Sequence, residues 1–215
     1  MVGSNLAIII PAKNEQSTIV KVIENAKNYG QVIVIDDASK DETSKFSKQA
    51  GAIVVQNTKT LFYDKTLEHG FNAALINNFK LAITMDADGE HDYQDIPKFK
   101  KELDKGYDLV IGQRQSFPRI SEKLVNFYFN KRWSLLDPFC GMKGYNLNWY
   151  RRFNKFDRYS SIGTDLAIRI IKNHGKFKHI KINSLKRKDK PRFGNIFTAN
   201  YKIIKSSFLS NFFHK

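Results

Sequence analysis

Short apolar runs, rich in β-branched residues, punctuate the first half of the chain at Leu6–Ile10, Val32–Ile35, Ala52–Val55, Leu81–Met85 and Leu109–Ile111. Runs of this length without polar alternation predict strands buried on both faces. The segments between them have helical character. Ser17–Tyr29 places Ile19, Val22, Ile23 and Ala26 on one helical face, and Asp41–Ala50 and Asp95–Lys105 are similarly amphipathic. Asp41 and Asp95 stand where N-caps are expected, and Gly30, Gly51 and Gly106 where helices should stop. Strand and helix alternate, which predicts an α/β fold with a mostly parallel sheet and helices on both faces.

The second half reads differently. An aromatic-rich helix is expected near Glu122–Leu136, then a loop over Asp137–Gly144, a helix over Asp165–His174 and a strand over Lys178–Leu185. A basic loop, Lys186–Gly194, follows. In Ile196–Phe213, the residues Phe197, Tyr201, Ile204, Phe208 and Phe212 recur at helical spacing, predicting a C-terminal amphipathic helix. Such a helix lies in a membrane interface, or docks on the core or a second subunit.

Two strands end abruptly in carboxylates. Val32–Ile35 runs into Asp36-Asp37, and Leu81–Met85 into Asp86-Ala87-Asp88-Gly89-Glu90. In a parallel sheet both clusters lie on the carboxyl edge, where open α/β sheets bind ligands. In an extended backbone Asp86, Asp88 and Glu90 would face the same way. Oxygen ligands alone suit Mg²⁺ or Mn²⁺ and a phosphate-bearing substrate. The bland alternative is a pair of polar turns. Neither a P-loop nor a G-x-G-x-x-G follows the first strand; Pro11-Ala12-Lys13-Asn14-Glu15 stands there instead.

Charge sharpens this picture. The 215 residues carry 36 Lys+Arg against 21 Asp+Glu, a net +15 that is unevenly spread. Residues 1–112 are net −3 and residues 113–215 net +18, so a uniform cationic coat is excluded. With 41% hydrophobic residues the chain can bury a sizeable core. A single cysteine, Cys140, excludes an internal disulfide framework and reads as a small buried residue. The apolar stretch at the N-terminus is too short for a signal peptide, and no run reaches about 18 apolar residues. The expectation is a cytoplasmic protein, soluble or peripheral on the cytoplasmic face of the membrane.

IIIPAKNE, VIVIDDASKDET and MDADGEHDYQDIP, followed by Ile111–Arg114 (IGQR) and Asp137–Gly141 (DPFCG), together resemble the GT-A nucleotide-sugar glycosyltransferases of family 2. Within them the order is similar to the branch containing dolichyl-phosphate mannose synthase and bacterial polyprenyl-phosphate glycosyltransferases. The likeness covers about residues 5–195 and implies a single Rossmann-like GT-A domain over 1–195. Its nucleotide and metal half would be 1–112 and its acceptor half 113–195, with the amphipathic helix over 196–215.

The resemblance also implies roles. Pro11, Ala12 and Glu15 would line the nucleoside pocket, with Asp36 or Asp37 contacting the nucleoside. Asp86 and Asp88 would hold the diphosphate and a Mg²⁺ or Mn²⁺ ion. Glu90 replaces the branch's usual Gln as a third metal ligand. Arg114 and Arg119 would contact phosphate, a surface salt bridge being the alternative for Arg114. Asp165 would be the general base, although Thr164 replaces the Glu common before it; a helix N-terminal carboxylate is the alternative. Arg192-Phe193-Gly194 is similar to a phosphate-closing loop, but Asn195-Ile196 replaces its Ser-Lys. His91 either supports the metal site or makes a structural hydrogen bond. The activity implied is inverting transfer from a UDP- or GDP-sugar to a polyprenyl phosphate, or to a sugar hydroxyl of a surface glycan. A nucleic-acid-binding module would need the acidic strand ends to tolerate phosphates without metal, and no nucleic-acid-binding motif is present. A nucleotidyltransferase would be expected to show a Gly-rich loop after the first strand.

Overall fold

The computed structural model describes residues 5–115, 120–158, 161, 163–183 and 185. The basic loop, the expected C-terminal helix, Arg119 and Arg192 lie outside the described residues. Seven strands form one sheet: β1 (Leu6–Ala12), β2 (Gln31–Asp36), β3 (Ile53–Gln56), β4 (Leu81–Thr84), β5 (Leu109–Arg114), β6 (Lys143–Asn146) and β7 (Phe177–Ile182), in the order β3-β2-β1-β4-β6-β5-β7. All pairings are parallel except those of β6, which runs antiparallel between β4 and β5. The mostly parallel α/β sheet expected from the pattern is therefore present.

Alternation along the strands divides the core in two. Ala7, Ile9, Ile33 and Ile35 face one side. There they pack with α3 (Phe62–Ile76), α5 (Ile120–Trp133), α6 (Leu147–Phe153) and α7 (Asp165–Lys172). Ile8, Ile10, Val32 and Val34 face the other side, toward α1 (Ile19–Ala26), α2 (Thr43–Gln49) and α4 (Ile96–Asp104). A strand covered on both faces must be apolar at every position, which explains the unbroken runs. On α1 the buried residues are Ile19, Val22, Ile23 and Ala26, as the periodicity predicts. Asp41 stands one residue before the α2 N-cap, Glu42, and accepts from the Thr43 N–H at 3.0 Å. Asp95 occupies the α4 N-cap, but its buried carboxylate pairs with Lys98 and accepts from the Asn183 N–H at 3.1 Å.

Three elements depart from the sequence expectation. α3 buries Thr66, Leu67, Gly70, Phe71, Ala73 and Ala74, a stripe so rich in small residues that its apolar period is faint. β6, of sequence KGYN, was expected to lie largely in a loop, and α6 had no predicted counterpart. A four-residue strand with Lys143 buried at 3% exposure carries no apolar run to read. The 86–90 segment differs as well: β4 stops at Thr84, and the chain turns through Ala87–Gly89, with Gly89 at φ 76°. The alternation argument for its carboxylates therefore does not apply.

Gly70 marks the closest approach of α3 to the sheet. A methyl there would run into the Ile9 side chain and sit 3.2 Å from Ile35. Gly70→Ala gains helix propensity of about 1 kcal/mol but overpacks a dense core at a cost of ~1–3 kcal/mol. The expected outcome is a lower urea midpoint; an unchanged or raised midpoint would show that α3 can shift outward.

Candidate active site

The parallel strands deliver their carboxyl ends to one edge, and β6 starts from that same edge, because Lys143 pairs with Thr84 and Ile111. The loops after β1 and β2 are laced together there. The Asn14 N–H donates to Ser39 Oγ at 2.8 Å, and the Lys40 N–H returns a bond to Asn14 Oδ1 at 2.8 Å. The Glu15 N–H donates to Thr43 Oγ1 at 2.7 Å. Pro11, Ala12, Glu15 and Asp36 are brought together by this lacing, with Glu15 and Asp36 buried. Asp36 accepts from the Ser39 N–H at 3.0 Å. Asp37 is turned elsewhere. It accepts from Asn57 Nδ2 (3.0 Å), Leu61 N–H (2.7 Å) and Phe62 N–H (3.1 Å), so it holds the turn into α3.

The second carboxylate cluster follows β4, beside β1. The Asp86 N–H donates to His91 Nδ1 at 3.0 Å, giving His91 the structural role of acceptor, with its proton on Nε2. Asp88 Oδ1 accepts from the Glu90 N–H at 3.0 Å and closes the turn. Gly141 lies against Asp86: a methyl on Gly141 would press into the carboxylate, 2.9 Å from its carbon. Thr84 Oγ1 donates to the Gly141 carbonyl at 2.6 Å, fixing this contact. Beneath it the buried Lys143 ammonium donates to the Cys140 carbonyl at 2.7 Å. Burial lowers the Lys143 pKa against the pull of the carboxylates of Asp137 and Asp86. Burial first, and Asp137 next, push the Cys140 thiol up to about 12, which makes it no nucleophile. Burial and the Asp86 and Asp64 carboxylates hold the Tyr63 hydroxyl protonated.

Among the described residues no three carboxylate, imidazole or thiol groups gather to hold a metal ion. Asp86 keeps about a third of its side chain exposed. Such a donor set fits a hard divalent cation that takes one or two carboxylates and completes its shell with water and substrate phosphate.

Arg114 ends β5 and turns inward. Its Nε and Nη2 bind both oxygens of Asp137 at 2.9 and 2.7 Å, and Nη2 also reaches Glu122 at 3.0 Å. Its own N–H donates to the same Asp137 at 2.9 Å. These bonds raise the Arg114 pKa in spite of burial. The geometry presents a salt bridge for Arg114, but a buried one in place of the expected surface bridge. Asp137 sits at φ 47°, 1% exposed, with its N–H bonded to Asn126 Oδ1 at 2.7 Å.

Asp165 opens α7 with 0% exposure. Arg158 grips it through two bonds of 3.1 Å, Arg169 approaches at 3.0 Å, and its N–H donates to Ser161 Oγ at 2.9 Å. The single carboxylate thus engages two guanidiniums. Sequence reasoning missed Glu122, Lys143, Arg158 and Tyr63. None of them carried a readable signal: Lys143 lies in a strand without an apolar run, and the others meet their partners only through folding.

The family signature described as Glycosyl transferase family 2 matches residues 7–180. The chain belongs to this family and is a glycosyltransferase. It is 29% identical to an uncharacterised protein of Methanocaldococcus jannaschii over 92% of this chain and 88% of that one. It is 30% identical to the UDP-N-acetylglucosamine–dolichyl-phosphate N-acetylglucosaminyltransferase of Methanococcus voltae, over 55% of each chain. It is 23% identical to the undecaprenyl-phosphate 4-deoxy-4-formamido-L-arabinose transferase of Proteus mirabilis, over 66% of this chain and 49% of that one. The chain thus spans about half the length of these two named transferases. In structure it is similar to glucosyl-3-phosphoglycerate synthase of Mycobacterium tuberculosis in complex with Mg²⁺ and UDP. The TM-score is 0.79 at 16% identity, over 97% of this chain and 79% of that one, a likeness of GT-A fold.

Removing one partner of the buried Arg114–Asp137 pair strands the other's charge, so Asp137→Asn or Arg114→Met should cost about 3–5 kcal/mol in urea unfolding. A loss under about 1 kcal/mol would mean the pair behaves as a surface bridge. His179 gives a pH signature. Its Nε2 accepts from the Leu136 N–H at 3.0 Å, and burial holds its pKa below the ordinary 6.5 despite the opposing pull of Asp137. The unfolded chain takes the proton more readily, so the contribution is complete above pH 6.5 and lost as pH falls through the lowered folded value. Melts from about pH 8 to 5 should show a drop on the acid side that His179→Gln flattens; an equally steep drop in the variant would clear His179.

Proposed function

We propose that this family 2 glycosyltransferase moves a sugar from a nucleoside diphosphate to a polyprenyl phosphate, inverting the anomeric carbon. The observation that carries the donor half is the convergence of Glu15, Asp36 and the Asp86–Glu90 turn on three neighbouring strand ends. Glu15 and Asp36 bind the nucleoside, with Asp37 bracing the turn beside them. Asp86 and Asp88, with Glu90 at the rim, hold a Mg²⁺ or Mn²⁺ ion against the diphosphate. That ion, when bound, offsets negative charge on the leaving group.

The acceptor half is supported by the state of Asp165. A sugar hydroxyl must lose a proton as it attacks, which calls for an available base. A phosphate oxygen is already ionised at neutral pH. It attacks the anomeric carbon, the bond to the diphosphate breaks, and the nucleoside diphosphate leaves with the electron pair. No proton has to be collected by a carboxylate that Arg158 and Arg169 already engage. The two named transferases, by their names, act on undecaprenyl and dolichyl phosphate. Arg114 contributes by position: it fixes the loop that seats Gly141 against Asp86.

A panel of UDP- and GDP-sugars with Mn²⁺ or Mg²⁺ tests this reading. A bound donor at a hundred times its Kd stabilises by about 2.7 kcal/mol, or about 5–10 °C in Tm for a chain of this size. The shift should require the cation and vanish in Asp86→Ala and Asp88→Ala. No response to any donor sinks the donor assignment. Transfer to a glycan hydroxyl in preference to an isoprenyl phosphate sinks the acceptor assignment.

A further inference from the structure

Phe62 opens α3 with its backbone at φ 65° and is 77% exposed. A left-handed backbone is rare for a bulky side chain and strains it. Glycine or asparagine would fill the position at little cost. A single exposed apolar residue needs no explanation. An exposed phenyl ring on a strained backbone does, because neither burial nor backbone preference favours it there.

Built contacts hold the strained turn. The buried Asp37 carboxylate accepts from the Leu61 and Phe62 N–H groups at 2.7 and 3.1 Å, and from Asn57 Nδ2 at 3.0 Å. Asn57 Oδ1 in turn meets His69 Nδ1, on α3, at 2.7 Å. The residues that follow are anchored inward: Tyr63 packs against the core, and Asp64 Oδ1 accepts from the Gly163 N–H at 2.7 Å. With the chain fixed on both sides, the exposure of Phe62 is set by the fold and not by a loose turn.

The surroundings of Phe62 are the nucleoside side of the candidate site. The segment before it is stitched to the ends of β1 and β2. The Asn57 N–H donates to the Asp36 carbonyl at 2.9 Å, and Lys13 Nζ donates to Thr60 Oγ1 at 2.6 Å. The Asp37 N–H donates to the Ala12 carbonyl at 2.8 Å. The sheet order β3-β2-β1-β4 then supplies a direction. A donor lying across these strand ends with its diphosphate at Asp86, after β4, would extend its base toward β2 and β3, where Phe62 stands. Its sugar would lie beyond the diphosphate, on the side of β6. A flat apolar ring offers a base a stacking face, whereas Glu15 and Asp36 suit polar groups of the nucleoside.

We infer that Phe62 is a base-stacking residue, its ring lying on the nucleobase of a nucleoside diphosphate bound across the ends of β2, β1 and β4. The inference deepens the donor half of the proposed function and rests on it. It also gives the strained turn a purpose, with Asp37 as the positioning residue that holds the ring at the mouth of the nucleoside site.

The test is titration calorimetry of the full chain with UDP and with GDP, each with Mn²⁺ or Mg²⁺, using inorganic diphosphate as the base-free probe. Phe62→Ser should weaken whichever nucleoside diphosphate the wild type binds by about tenfold, and leave inorganic diphosphate unchanged. Phe62→Tyr, which keeps a stacking face, should keep the wild-type affinity. Phe62→Gly should show the same loss of affinity with an equal or higher urea midpoint, since glycine takes the positive φ freely. A lower midpoint in Phe62→Gly would give the ring a packing role and overturn the inference. Undiminished binding of the nucleoside diphosphate to Phe62→Ser overturns it as well, as does an equal loss for inorganic diphosphate. A loss seen with the nucleotide-sugars but not with free UDP or GDP assigns the ring to the sugar, and also overturns it. These failures leave the donor reading standing. A wild type that binds neither nucleotide with either cation defeats the donor reading and the inference together.

Discussion

The pairing of Arg114 with Asp137 is the contact on which the candidate site depends. It joins the end of β5 to the loop before β6, and through Glu122 it takes in α5. The loop it anchors carries Gly141, whose missing side chain leaves room for the Asp86 carboxylate. Two motifs far apart in sequence are therefore one object in space. A buried ion pair of this kind adds little net stability over an apolar equivalent, but it is costly to break by halves. Its geometric effect is to fix where Asp86 can point.

Backbone strain gathers at the same edge. Asn14, Ala38 and Asp137 have positive φ without being glycine and lie in loops at the carboxyl end of the sheet; Phe62 opens α3, and Ser134 follows the end of α5. Asn78, Asn154 and His174, also left-handed, simply end α3, α6 and α7, which is a common helix stop. Strained residues persist where the surroundings over-determine them. Here the determinants are visible: Asp37 receives the N–H of Phe62, and Asn126 receives that of Asp137. The loops after β1 and β2 are laced to each other by the Asn14, Ser39 and Lys40 bonds.

How much of this was legible in the sequence follows from the range of each interaction. Strands β1, β2, β4 and β5 and the buried face of α1 depend on local apolar pattern, and they stand where the pattern puts them. The Asp86–Glu90 cluster was legible as chemistry but not as shape, because the turn at Gly89 replaces the extended chain that would align its carboxylates. The partners of Arg114 were not legible as pairings, whereas Arg169 stands four residues after Asp165 on the expected helix, a spacing that can be read. Arg114 meets a residue 23 positions away through folding, and nothing in the spacing distinguishes an arginine aimed at phosphate from one aimed at aspartate. α3 escaped for a different reason: close helix–sheet contact at Gly70, Ala73 and Ala74 replaces large apolar side chains with small ones.

The uneven charge of the chain then takes on a structural meaning. The acidic half supplies the strand-end carboxylates, where a bare site would repel any anionic ligand. The basic half behaves differently. Its arginines at 114, 158 and 169 are largely consumed by Asp137, Glu122 and Asp165, so they do not by themselves form an open anion site. Of the rest, Lys123, Lys131 and Arg132 are exposed on α5, and a further share falls within 186–215, outside the described residues. The arginines that the sequence offers as anion contacts therefore act as frame, through the carboxylates they pair with.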